Sequence, residues 1–189
     1  EELALQKETV MSNGLYRTFI DSIRMARALK NGGNGLKFKS ISALNRKHDQ
    51  LIEKLNKSKN LEQYLKYRIP GPPFRASHPH SEIIIEPLQS AQSIIDVARE
   101  FKNCAASKIP KIASGDYYLY QILSPEPGLI GIEKNRQGDF EVSETAGPSN
   151  CDLKSYTRVL IYLWEDEEKS NIEIVEALYS HYCGESDLL

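Results

Sequence analysis

A pair of carboxylates, a thiol with polar neighbours and a run of cations are the parts of this 189-residue chain with the types and spacing for chemistry. Glu133 and Glu144 fall in neighbouring segments that read as β-strands, and Asn150 follows in the loop after them. Converging on one sheet face, two such carboxylates would hold Mg2+ for phosphodiester chemistry or divide acid and base work. The competing reading is solvent-facing strand residues with Asn150 holding a turn, and it is preferred because a fold does not by itself make a site. Cys104 is the candidate nucleophile. A thiolate needs a lowered pKa, usually from a histidine or a helix N-terminus. Cys104 is expected near a helix C-terminus, where the dipole disfavours an anion, so a small buried thiol is the preferred reading.

His48-Asp49 invites comparison with metal-dependent phosphohydrolases, which need further His and Asp ligands on other helices. His78, His80 and His181 complete no such pattern. His48 is therefore expected to orient against a local carboxylate or carbonyl on a helix surface. His78-Pro79-His80 reads as a proline-rich loop with two solvated histidines, and no metal site is assigned. The cations form the third candidate. Arg24 and Arg27 share one helix, and Arg46, Lys47 and Lys54 share the next. Gathered on one face, they would release counterions from a nucleic acid, with Tyr64, Tyr67 and Phe74 available to stack on unpaired bases. A plain solvated face explains them equally well.

These candidates sit on a chain of ordinary composition. Hydrophobic residues make up 40% and charged residues 26%, values typical of a folded soluble domain. No apolar run approaches the roughly 20 residues of a membrane helix, so no membrane partner is expected. The three cysteines are far apart and give neither a zinc spacing nor a disulfide framework, which suits reduced thiols and a cytoplasmic location. Net charge is −2 but unevenly spread. Residues 1–69 carry 14 Lys and Arg against 7 Asp and Glu, while residues 70–189 carry 10 against 19. A basic half can meet a polyanion, a protein partner or the acidic half of a second copy.

The elements that must position these residues follow from periodicity. Residues 1–30 read as a helix, with Leu15, Phe19, Ile23, Ala26 and Arg27 near a 3.6 period and a stop at Asn31–Gly35. A second helix starts from Ser42 as N-cap, and Asn60 caps a third. Prolines at 70, 72, 73 and 79 make residues 70–80 a linker loop between a basic helical region, 1–69, and the remainder, 81–189. Ile83–Ile85 reads as a buried strand. Residues 88–107 return to helical period, with Pro110 past the end. Three strands follow at Tyr117–Leu123, Leu129–Lys134 and Phe140–Thr145, separated by turn residues short enough for antiparallel neighbours. Asp152 is expected to cap a helix burying Leu153, Tyr156, Leu160, Leu163 and Trp164 and ending in the acids Glu165–Glu168. Asn171 starts the last helix, through Ile174, Leu178 and Tyr182, with Gly184 as its stop. The order predicts an α+β fold: N-terminal helices, a small antiparallel sheet of about three or four strands, and C-terminal helices.

Order and spacing together resemble the PcfJ-like proteins of conjugative and other mobile elements. The likeness rests on Phe19-Ile20-Asp21-Ser22-Ile23-Arg24-Met25, the polar break after it, His48-Asp49, and Phe101-Lys102-Asn103-Cys104-Ala105. It continues in Gly131-Ile132-Glu133 and in Glu144-Thr145-Ala146-Gly147-Pro148-Ser149-Asn150. Asn103 stands where the family pattern has histidine, and Glu144 where it has glutamine. The resemblance spans about residues 15–165. It implies an accessory protein of a mobile or phage-related element that contacts nucleic acid or a nucleoprotein partner through the basic helices. Two alternatives stand beside it. One is a metal-dependent enzyme on nucleic acid or nucleotides at the sheet face, the only reading that calls for Mg2+. The other is a protein-interaction module of a conjugation or host-defence complex.

Overall fold

The structure, a computed structural model, describes residues 13–29, 38–78 and 80–183. Expectations for residues 1–12, the Asn31–Gly35 break, Pro79 and the Gly184 stop lie outside these, as do those for the side chains of Leu178, His181 and Tyr182. The chain divides into two compact units. The first holds residues up to Ile69 together with Ser90–Gly115 and Pro148–Asn150. The second holds Pro70–Gln89, Asp116–Gly147 and the residues from Cys151. The fold is α+β, as the order of periodic segments implies.

The first unit is helical. Helix α1 spans Asn13–Ala28 and packs on α2, Ile41–Asn56. The N-cap of α2 is Ser40 rather than Ser42: its Oγ accepts from Ala43 N at 3.1 Å, filling one orphan donor of the first turn. Leu44, His48, Leu51, Ile52 and Leu55 form the buried stripe of α2. The third helical segment is a 3₁₀ helix, Lys59–Lys66, capped by Ser58 and not by Asn60. Helix α3 covers only Ala91–Glu100, opened by a Ser90–Ser93 capping box. It ends in a Schellman arrangement, with Asn103 N bonded to Ala98 O and Lys102 N to Arg99 O. Lys102 takes the left-handed position at φ 50°, where glycine is usual. The period expected through residue 107 is therefore broken. A short 3₁₀ segment, Ala105–Lys108, follows, and then α4, Ile109–Ala113, with Pro110 in its first turn rather than beyond a helix end.

The second unit is a meander of four antiparallel strands in the order β1-β2-β3-β4. They are β1 Ile84–Pro87, β2 Tyr117–Ser124, β3 Gly128–Lys134 and β4 Phe140–Ala146. One face buries Tyr118, Tyr120, Ile122, Ile130 and Ile132 against Leu153 and against Leu160, Ile161 and Trp164 of the last helix, α5, Ser155–Cys183. The Tyr120 hydroxyl accepts from Phe74 N at 2.9 Å and donates to Phe74 O at 2.8 Å, tying the proline-rich loop into this core.

Helix α5 departs from expectation in three ways. It begins at Ser155, and Asp152 is exposed before it. The carboxylate of Glu126, in the β2–β3 turn, serves its first turn instead, accepting from Lys154 N and the Thr157 hydroxyl. It also runs through Asn171 without a break, so the acids of residues 165–168 sit inside it. Two of them have tertiary partners: Glu165 accepts from Val142 N at 2.8 Å, and Glu168 accepts from Arg75 N, Nε and Nη2. Finally, Thr157, Leu160, Ile161, Trp164 and Glu168 form the buried stripe, which leaves Tyr156 and Leu163 exposed. Among the described residues no helix is long and apolar enough to cross a membrane.

Candidate functional site

The first unit places three chemically capable side chains at one point. Helix α1 supplies Asp21, α2 supplies His48, and the loop after α3 supplies Cys104. Their ligand atoms all lie within 4.8 Å of one another, and each residue is less than a tenth exposed. Helical period explains the arrival of Asp21. It shares the buried side of α1 with Ser22, Met25 and Ala26. The expected apolar stripe instead included Arg27, which is exposed. His48 stands one turn from Leu44, Leu51 and Ile52 on the core side of α2, so the expected surface histidine is in fact buried.

The electrostatics of this cluster are those of buried groups. The Cys104 thiol donates to Asp21 Oδ2 at 3.6 Å, and Arg24 Nη1 donates to Asp21 Oδ1 at 3.1 Å. Burial pulls the His48 pKa below its ordinary value, opposed by the carboxylates of Asp21 and Asp49. Burial pushes the Cys104 thiol up to about 12, against the nearby ammonium of Lys108. At neutral pH Cys104 is a protonated thiol, and nothing here makes it a free thiolate nucleophile. Asn103, at the family's histidine position, is buried in a turn role: its Oδ1 accepts from Ala105 N at 3.0 Å.

A cleft of about 670 Å³ opens in the same unit, lined by Asp49, Glu53, Asn56 and Lys57 of α2 and its end, by Arg99 and Lys102, and by Ser149 and Asn150. Three cations and two carboxylates thus share one concavity of small-ligand size. Glu53 is engaged by Lys57 at 2.6 Å, and its carboxyl pKa is lowered by that bond. Asn56 holds the wall together, its Nδ2 donating to Ala98 O at 3.0 Å and Asn103 O at 3.2 Å. Its Oδ1 is buried with no partner among the described residues. Ser149 N donates to Phe101 O at 2.6 Å, fixing the other wall. Among the described residues three non-glycine side chains have positive φ: Lys102, Ser149 and Asn150. All three line this cleft. Left-handed backbone at a non-glycine residue costs about 1–2 kcal/mol, and such strain gathers at functional sites.

The remaining candidates are distributed as follows. Asn150 belongs to the first unit's cleft, whereas Glu133 and Glu144 lie in the second unit. Register puts those two carboxylates on one face of the sheet: Glu133 pairs with Tyr117 and Glu141, and Glu144 pairs with Gly131, two residues before Glu133. Glu144 is held there by the Tyr117 hydroxyl, which fills the space left by the absent Gly131 side chain. Among the described residues they join no group of three metal-ligating side chains; that group is Asp21, His48 and Cys104. Arg27 lines a smaller pocket of about 240 Å³ with Gln63, Tyr64, Lys66 and Tyr67. Tyr64 and Tyr67 meet edge to face at 6.1 Å, and Lys66 Nζ lies 5.9 Å from the Tyr67 ring centre.

Arg46 and Lys54 are exposed and Lys47 is half-buried. At 100° per residue, Lys47 and Lys54 lie roughly 160° around α2 from its cleft-lining stripe, so the helix does not bring them to the cleft. Arg24 is turned toward Asp21. His78 and His80 are exposed, as expected for the proline-rich loop. Residue type and chain order singled out Asn150 and Cys104 in the sequence but missed Asn56, Arg99 and Lys102 as cleft residues. The only signal pointing to Asp21 and His48 together was the pair of motif segments in which they stand.

Comparison with known proteins adds one finding. A family model described as PcfJ-like protein matches residues 18–161, which include the whole Asp21, His48 and Cys104 cluster and every residue lining the cleft. No curated protein matches, and no solved structure matches.

Proposed function

The chain belongs to the PcfJ-like family, and we propose that it serves in the cytoplasm as an accessory protein of a mobile or phage-related element, holding single-stranded nucleic acid with its first unit. One observation carries this reading: the cleft in which Lys57, Arg99 and Lys102 stand beside Asn56 and Asn150, with Lys102 and Asn150 on left-handed backbone. Ammonium and guanidinium groups suit phosphate oxygens, and side-chain amides suit base edges. The pocket of Arg27, Tyr64, Lys66 and Tyr67 adds what a second nucleotide needs, cations beside aromatic rings.

The test is fluorescence anisotropy with labelled single-stranded DNA, duplex DNA and RNA across a salt series, with and without Mg2+, followed by an integrity check of the oligonucleotide. Each single-strand phosphate contact contributes about 0.7 to the slope of log affinity against log salt. Three cleft cations therefore predict a slope near −2, and Arg99→Gln with Lys102→Gly should reduce it by about 1.4. Charge reversal at Lys47 and Lys54 should leave binding unchanged; loss of binding there would move the strand to the outer helical face. Absence of binding at low salt would refute the reading, and Mg2+-dependent cleavage abolished by Glu133→Gln would replace it with the sheet-face enzyme.

The protein-interaction reading has its own support in α5. Tyr156, Val159, Tyr162 and Leu163 are each more than half exposed on adjoining turns, an apolar surface of the kind used at interfaces.

A further inference from the structure

The buried cluster of Asp21, His48 and Cys104 serves neither the cleft cations nor the sheet, and its composition is costly. Two helices and a loop each send one polar side chain into the core of a small unit, where apolar residues of similar volume would be cheaper. A thiol, an imidazole and a carboxylate gathered at one point have a shared use as ligands of a borderline-soft divalent cation.

We propose that Asp21, His48 and Cys104 form a zinc-binding site. The geometry is close to what tetrahedral zinc requires. Bond lengths of about 2.3 Å to sulfur and 2.0 Å to oxygen put the two ligand atoms roughly 3.5 Å apart at a tetrahedral angle. Cys104 Sγ and Asp21 Oδ2 are 3.6 Å apart. The other carboxylate oxygen, Oδ1, is taken by Arg24, so Oδ2 is the one presented to the metal. His48 supplies one ring nitrogen to the cluster, and Asp49 Oδ1 lies 3.7 Å from its Nδ1. Three protein ligands leave the fourth position to a water molecule.

Charge balance supports zinc over a neutral core. Zinc with one thiolate, one carboxylate and a neutral imidazole carries no net charge, so Lys108 beside the cluster meets no repelling cation. Burial already favours the neutral imidazole that a metal needs. The thiol must lose its proton, which burial alone opposes, and the metal supplies the positive charge for that step, the proton passing to solvent. Soft sulfur selects zinc against Mg2+ and Ca2+, which take oxygen ligands.

The experiment is metal analysis of the full chain purified without chelator, with cobalt substitution of chelator-treated protein. One equivalent of zinc per chain is expected, together with a thiolate-to-cobalt charge-transfer absorption and tetrahedral d–d bands. Cys104→Ser should abolish the charge-transfer absorption and Cys151→Ser should retain it. Zinc should raise the thermal midpoint of the wild type but not of Cys104→Ser. Asp21→Asn, nearly isosteric, keeps the test open if the serine variant does not fold: it should weaken zinc binding at least tenfold with the helical circular dichroism intact. Wild-type protein that neither retains zinc nor gives the cobalt–thiolate band would overturn the site, and so would a band that survives in folded Cys104→Ser.

Discussion

Lys102→Gly separates strain kept for binding from strain kept for folding. Lys102 is the left-handed residue that closes α3, at φ 50°, and its side chain lines the cleft. A non-glycine residue there costs about 1–2 kcal/mol, which glycine removes. Glycine also frees the unfolded chain, offsetting about 0.5–1 kcal/mol of the gain. The variant should therefore be more stable by about 0.5–1 kcal/mol, or ~1–4 °C in thermal midpoint for a chain of this size. If Lys102 meets a phosphate, the same change removes one contact, and single-strand affinity should fall about fivefold at 0.1 M salt. Urea denaturation and anisotropy on the same preparation read both quantities. Opposite movement of stability and affinity is the expected signature. A stabilised variant with wild-type affinity and salt slope would show that the lysine touches no phosphate. A destabilised one would show that the loop depends on the lysine side chain itself.

Three other outcomes follow from contacts in the second unit. Tyr120→Phe leaves Phe74 N and O unpaired in an apolar core, at about 1–3 kcal/mol each, whereas Tyr118→Phe removes a hydroxyl with no partner among the described residues and should cost under ~0.5 kcal/mol; equal urea midpoints for the two would defeat this reasoning. In Gly131→Ala the new Cβ collides with the Tyr117 hydroxyl and stands 2.7 Å from Glu144 Cγ, so denaturation should show a loss of about 1–3 kcal/mol that shrinks on a Tyr117→Phe background. The Thr157 hydroxyl, then the Lys154 backbone N–H and side-chain charge, hold the Glu126 carboxyl below its ordinary pKa of 4.5. A depressed folded pKa gives stability that is present above pH 4.5 and lost as pH falls through the folded value. The deficit of Glu126→Gln at pH 7 should accordingly close on acidification, as followed by thermal melts from pH 7 to pH 3.

The sheet was legible because its punctuation is local. Pro125, Pro127 and Gly128 mark one turn and Gly138, at φ 102°, marks the next, so β2 to β4 fall within a residue or two of their expected bounds. The end of α3 was not legible, because its left-handed stop is lysine and no glycine announces it. Continuity of α5 through the acidic run depends on Val142 N and Arg75 partnering Glu165 and Glu168, which are tertiary facts. Serine caps were misplaced by two residues for the same kind of reason: Ser40 and Ser42 offer equivalent hydroxyl acceptors, and packing of Leu44 and His48 decides between them. The site was half visible. Cys104 and Asn150 drew notice by type, and strand register puts Glu133 and Glu144 on one face of the sheet. Asp21 escaped because apolar periodicity skips a buried polar position, and Asn56 because a wall-building amide has no sequence pattern.

The cleft and the buried cluster are two sides of the same short segments. His48 faces inward to Asp21 and Cys104, while Asp49, the next residue, lines the cleft. Lys102 lines the cleft, while Cys104, two residues on, is buried, and the Asn103 carbonyl between them is held by Asn56. Phe101, which opens this loop, is in turn held by Ser149. A loop gripped at Phe101 and Asn103 cannot shift its inner side without moving its outer side, because close-packed interiors transmit displacement instead of absorbing it. A cation drawn between Asp21, His48 and Cys104 would therefore fix the height of Lys102 in the cleft wall. Zinc would then act on nucleic-acid affinity through ordering of the loop and not through contact with the strand, so the metal should change affinity while leaving the number of phosphate contacts, and with it the salt slope, unchanged.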